Sequence, residues 1–139
     1  MDANCLVMEL KSNQVTVNAT KDTIISFLSN AENLWLILPQ DKISDFKATA
    51  NDCSFKVQGG ITISLVQNGH TADKLFLKSG EKTPFPFNLI VHLTENGSKT
   101  DGYIQFDGEV NAFLKMMVEK PLSALFNYMS EKLKSHFEQ

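Results

Sequence analysis

The sequence predicts an α+β chain in which an antiparallel meander of about six strands precedes one long helix. Three observations carry this. Over residues 42–110 apolar side chains recur at every second position, the period of a half-buried strand. Turn-forming residues separate these sets at intervals too short for parallel crossovers, which need roughly a dozen residues or more. After Val110 the period becomes helical and stays so to about Phe137.

At the start, Leu6, Met8 and Leu10 alternate with Val7, Glu9 and Lys11, and then Val15 and Val17 alternate with Thr16 and Asn18. Parity changes across Ser12-Asn13-Gln14, so one long strand needs a bulge there and two short ones a turn. Thr20 is placed to cap a short helix through Leu28, with Asp22 as its early acid. Asn30 can cap a second helix over 32–38, stopped by Pro39.

The core-facing candidates of the meander come in sets: Phe46 and Ala48; Cys53, Phe55 and Val57; Ile61, Ile63 and Leu65; Leu75 and Leu77. Phe85, Phe87, Leu89, Val91 and Leu93 follow, then Ile104, Phe106 and Gly108. Asn51-Asp52, Gly59-Gly60, Asn68-Gly69, Ser79-Gly80 and Asn96-Gly97 are the expected turns, the last a hairpin signal. Thr83-Pro84-Phe85-Pro86-Phe87 leads stiffly into the longest expected strand, with both Phe side chains inward.

The final helix, over 111–137, carries Phe113, Leu114, Met117, Val118, Pro121, Leu122, Ala124, Leu125, Phe126, Tyr128, Met129, Leu133 and Phe137 on one very broad arc. Simple packing needs a stripe of about 100°. The excess width implies a helix gripped on both flanks, or one whose face lines a cavity. Pro121 should kink it.

The chain has 139 residues and 15.5 kDa, the size of a single domain spanning 1–139. A net charge of -3 argues against a nucleic-acid surface. Cys5 and Cys53 lack metal-site or redox spacing and read as free thiols, with one long-range disulfide as the alternative. No secretory signal is expected at the N-terminus and no apolar run is long enough to span a membrane, so a complete coding sequence of this kind would be cytoplasmic. The anomaly is ten Phe, a residue that fills or lines apolar space.

The order of strand, two short helices, meander and long helix resembles the helix-grip fold of the START-like, polyketide cyclase-like superfamily (SRPBCC). Residues 15–20 running into 24–30 look like its first strand and helix, 33–39 like its second helix, and 113–133 like the gripped helix. The resemblance implies a curved antiparallel sheet of about six to seven strands around that helix, with an apolar cavity between them. It also admits transporters, sensors and enzymes, including cyclases and aromatases.

On this reading a small-to-medium hydrophobic ligand, lipid-like or polycyclic, is lined by Phe55, Ile63, Leu77, Phe87, Leu89, Phe106, Phe113, Met117, Ala124 and Tyr128. No cofactor or metal is expected, because inward positions are almost wholly apolar and no catalytic signature motif occurs. His92, Tyr103, Gln105, Asp107 and Glu109 share the outward parity. Tyr128, Lys132 and His136 stack at four-residue spacing, and Tyr128 could offer the ligand one hydrogen bond. Trp35 either packs down the second helix or stands at the cavity mouth. The rival readings are a cyclase-like enzyme using Tyr128 or His136, and a regulatory module with a closed cavity acting through a partner at Trp35 or Met116.

Overall fold

The computed structural model describes residues 5–57 and 60–138, with side chains from Val7 onward. An eight-stranded antiparallel sheet runs in the order β1-β8-β7-β6-β5-β4-β3, and β2 pairs with β8 beyond β1. The strands are β1 Cys5–Lys11, β2 Val15–Val17, β3 Ser44–Ala48, β4 Asp52–Lys56, β5 Thr62–His70, β6 Lys74–Ser79, β7 Phe87–Asn96 and β8 Lys99–Asn111. Helix α1 is Lys21–Leu28, a 3₁₀ helix covers Ala31–Ile37, and α2 is Ala112–His136. The second short helix is therefore 3₁₀ in type, and the longest strand is β8 rather than β7.

The parity change near the N-terminus is an extra residue between β1 and β2. Lys11 pairs with Gln105 and Val15 with Gly102, so four steps on one strand oppose three on the other. Ser12 fills the irregularity: its N–H donates to the Ile104 carbonyl at 2.8 Å, and its Oγ accepts from the Ile104 N–H at 2.8 Å. Ser130 Oγ on α2 donates to Ser12 Oγ at 2.7 Å, and Asn127 Oδ1 accepts from the Asn13 N–H at 2.8 Å. The bulge thus ties α2 to the sheet.

Both short helices begin as their caps dictate: Thr20 Oγ1 accepts from the Thr23 N–H, and Asn30 Oδ1 from the Glu32 N–H. Gly97 and Ser98 form the β7–β8 hairpin loop, with Gly97 at φ 65° as a type II′ turn requires. Asn68-Gly69 is not a turn. It lies within β5, where Gly69 at φ 87° marks a register shift, and the chain reverses only after His70. Of the Gly59-Gly60 pair, Gly59 lies outside the described residues.

Topology decides what covers the concave face. The segment between β2 and β3 joins opposite edges of the sheet, so it must cross that face, and α1 and the 3₁₀ helix lie along the crossing. Helix α1 packs on β6 and β7, and the 3₁₀ helix on β3, β4 and β5. Helix α2 covers the other side, against β8, β1, β2 and the 3₁₀ helix. No helix is long and apolar enough to cross a membrane among the described residues.

Candidate functional site

The concave face is almost filled. Leu28 from α1, with Leu34 and Ile37 from the 3₁₀ helix, reaches the strand residues Leu75, Leu77, Leu89, Val91 and Ile104 and the α2 residues Met129 and Leu133. What remains is a void of about 20 Å³, walled by these side chains. That is roughly one water's worth of space, and with no polar wall it stays dry. Toward the start of α2 the core is aromatic: the Phe106 ring lies 5.1 Å from Phe87, 5.4 Å from Phe126 and 6.4 Å from Phe85. Gly108 permits this, because a Cβ there would come within 2.8 Å of the Phe106 ring.

An open groove lies beside α2. Its helix wall is Pro121, Ala124, Leu125 and Tyr128, which the i, i+3, i+4, i+7 spacing puts on one face. The opposite wall is Pro39, Lys42 and Ile43 after the 3₁₀ helix, with Val57 after β4. The space between is about 150 Å³. Pro39 closes the helix, and its carbonyl accepts from the Lys42 N–H at 2.8 Å, folding the wall back toward α2. Ile43 also borders a second hollow, floored by Trp35 and Phe46, whose rings sit 5.0 Å apart. By side-chain type the groove lining is apolar except for Lys42 and Tyr128. The arrangement can therefore exclude water from an apolar group and offer it one cation and one hydroxyl.

Neither a protein-family model nor a curated protein sequence matches the chain. Solved structures do. A protein named TTHA0849 from Thermus thermophilus superposes with a TM-score of 0.72 at 12% identity, over 94% of this chain and 97% of that one. A START superfamily protein from Mycobacterium smegmatis does so at 0.66 and 16% identity, over 96% and 97%. Norcoclaurine synthase from Thalictrum flavum, in complex with dopamine and hydroxybenzaldehyde, gives 0.62 and 14%, over 98% and 91%. The fold is the START-like helix grip.

Within this START-like fold the expected lining residues occupy three places. Phe55, Ile63, Leu77, Phe87, Leu89 and Phe106 all point into the concave face and are buried. Ala124 and Tyr128 face the outer groove instead, with Tyr128 39% exposed. Phe113 and Met117 reach neither space, at 70% and 44% exposed, and Met116 is 83% exposed. The division has a geometric cause. The buried positions of α2, namely Val118, Leu122, Leu125, Phe126, Met129, Ser130 and Leu133, form one stripe that starts only in the helix's second turn. The broad arc is this stripe added to a groove wall and to an overhanging first turn. The helix runs unbroken through Pro121, which leaves the Met117 carbonyl without its usual N–H partner.

The groove residues that sequence reading left out of the site are Pro39, Lys42, Ile43, Val57, Pro121 and Leu125. The spacing from Pro121 to Tyr128 was the available signal; the facing wall had none, since it depends on how the β2–β3 crossing folds. The polar candidates lie elsewhere. His92 is on the outer sheet face, stacked 4.6 Å from Tyr103 with its Nε2 2.8 Å from Gln105 Oε1. His136 packs on Phe27 at 4.6 Å. Trp35 packs on Phe46 rather than standing free. Cys53 is a free, buried thiol that burial, then Asp52, pushes up to about 12, so it is neutral and unreactive. Hydrogen bonds from Thr16 and Asn96 hold the Asp101 carboxyl below its ordinary value at the far end of β8. Among the described residues no group of three or more His, Cys, Asp and Glu is placed to hold a metal ion.

Proposed function

We propose that this chain binds a small hydrophobic molecule without covalent chemistry, in the groove between α2 and the segment that follows the 3₁₀ helix. The observation that carries the reading is a recess of about 150 Å³ lined by apolar side chains together with Lys42 and Tyr128. A void of that size takes a single-ring compound. Dopamine and hydroxybenzaldehyde, the single-ring molecules bound to the Thalictrum synthase of like fold, support that scale. Burying roughly 200 Å² of apolar ligand surface gains about 5 kcal/mol at 25 cal/mol per Å², before orientation costs. Affinity for one ring alone is therefore weak, and a longer lipid-like or polycyclic ligand gains by passing Ile43 into the Trp35–Phe46 hollow.

The test is a titration of the labelled protein with indole, followed by amide NMR, in parallel with native mass spectrometry of the purified protein for retained molecules. Shifts should cluster at Ile43, Val57, Ala124 and Tyr128. Ala124→Arg, at an exposed position, should abolish them with the melting temperature unchanged. Tyr128→Phe should weaken only ligands that carry a hydroxyl or carboxylate. Indole binding that survives Ala124→Arg undiminished would sink the assignment.

A further inference from the structure

A larger hollow lies on the opposite, outer face of the sheet. Residues of β3, β4, β5 and the end of β6, with residues 80–82 beyond it, border an open hollow of about 590 Å³ there. Small-molecule sites run to roughly 300–1,000 Å³. Ser64 is the informative residue. It alternates with the inward Ile63 and Leu65, so its side chain projects outward, yet it is only 8% exposed because residues 80–83 fold over it. Its backbone is satisfied by that turn: the Ser64 N–H donates to Thr83 Oγ1 at 2.8 Å, and its carbonyl accepts from the Gly80 N–H at 2.9 Å. Its hydroxyl lines the hollow and makes no hydrogen bond to any described residue. The missing Cβ of Gly80 lets the turn approach this closely, since a side chain there would press on the Ser64 hydroxyl and force it to turn.

Lys47, Lys78 and Lys82 line the same hollow as this donor, together with Asp52 and Glu81. Asp52 is partly engaged, accepting from Thr49 Oγ1 at 2.8 Å. None of the three lysines is ion-paired with a described residue, the pairs being Lys56–Asp45 and Lys134–Glu138. A hydroxyl donor in a hollow that three lysines line against two carboxylates suits an anion. The basic residues that line the hollow are all lysine, which binds phosphate as a point charge, whereas planar carboxylates favour the arginine fork.

We propose that this outer hollow is a second binding site, specific for a phosphate-bearing small molecule, whose phosphoryl oxygens accept from the Ser64 hydroxyl and lie among Lys47, Lys78 and Lys82. The site is independent of the α2 groove. Inorganic phosphate and pyrophosphate, titrated at fixed ionic strength and followed by amide NMR, should give saturable shifts centred on Ser64, Gly80 and Lys82. Ser64→Ala should weaken pyrophosphate about fivefold, the loss of one hydrogen bond to a charged acceptor that is still partly hydrated. Lys78→Gln, at an exposed position where folding is not at stake, should weaken it about threefold. Ala124→Arg should leave it unchanged. Sedimentation with phosphatidylcholine vesicles containing phosphatidic acid separates the two sources of the phosphate. Association lost in both variants assigns a lipid headgroup, and pyrophosphate binding without association assigns a free ester. Shifts that never saturate and spread over lysines all round the surface, or an affinity the same in both variants as in the wild type, would overturn the proposal.

Discussion

Two spaces adjoin α2, and they differ in size although both are walled mainly by apolar side chains. The interior one shrinks to about 20 Å³, whereas the groove keeps about 150 Å³. The difference lies in which side chains meet. In the interior the long tips of Leu28, Leu34, Ile37, Met129 and Leu133 converge from three helices on the sheet and fill the gap. Across the groove, Pro39 and Val57 face Pro121 and Ala124, which are too short or too rigid to reach each other. A hydrophobic wall becomes a pocket only where its residues cannot close on themselves.

The largest effect should come from removing one of the converging tips. Leu34→Ala is expected to cost about 2–5 kcal/mol in urea unfolding, since the rigid surroundings would leave a cavity behind. The same variant should gain affinity for benzene or xenon inside the sheet. Its counterpart Ala124→Leu adds bulk to the groove and should move stability by no more than about 0.5 kcal/mol. Similar costs for the two variants would mean that the two spaces do not differ as described.

The strand half of this contrast was legible in the sequence because period two assigns a face directly. Phe55, Ile63, Leu77, Phe87, Leu89 and Phe106 are buried on the side alternation gave them. Helix caps at Thr20 and Asn30 were equally local and equally readable. The helix half was not, because a helical wheel shows which residues share a side and not how far along the helix a partner extends. Phe113 and Met117 lie on the exposed side of the helix start, whose Leu114 alone packs against the core among the described residues of that turn. The filling of the interior was also hidden, since it follows from a crossing between opposite sheet edges that only long-range pairing reveals. Asn68-Gly69 shows the same limit at shorter range: a positive-φ glycine serves a bulge as well as a turn.

A smaller effect should appear where the interior is locked to the sheet. Ser12 Oγ accepts from both the Ile104 N–H and Ser130 Oγ, so Ser12→Ala leaves a buried backbone donor unpaired at a cost of about 2 kcal/mol. Ser130→Ala removes one donor and leaves the Ile104 bond intact, costing about 1 kcal/mol. In the double variant the two costs should not add, because Ser130 has already lost its acceptor. Equal single-variant costs would show that the bulge does not depend on the Ser12 hydroxyl.

The most direct readout of closure uses thiols. Cys53 is raised from 9.0 to about 12 by burial and by Asp52, so the fold favours its neutral form. The sign follows: its contribution is fully present below about pH 9, where the unfolded chain also keeps the thiol neutral, and declines as pH rises from there toward 12. The stability difference between the protein and Cys53→Ala should therefore shrink by about 1 kcal/mol per pH unit above pH 9. In a Cys5→Ser background, Cys53 should react with a disulfide reagent only as fast as the protein unfolds. A thiol placed in the groove by Ala124→Cys should react at the rate of an exposed one, with an ordinary thiol titration. Comparable rates at the two positions would mean that the interior opens as readily as the groove, and the ligand site would then belong between sheet and helix after all.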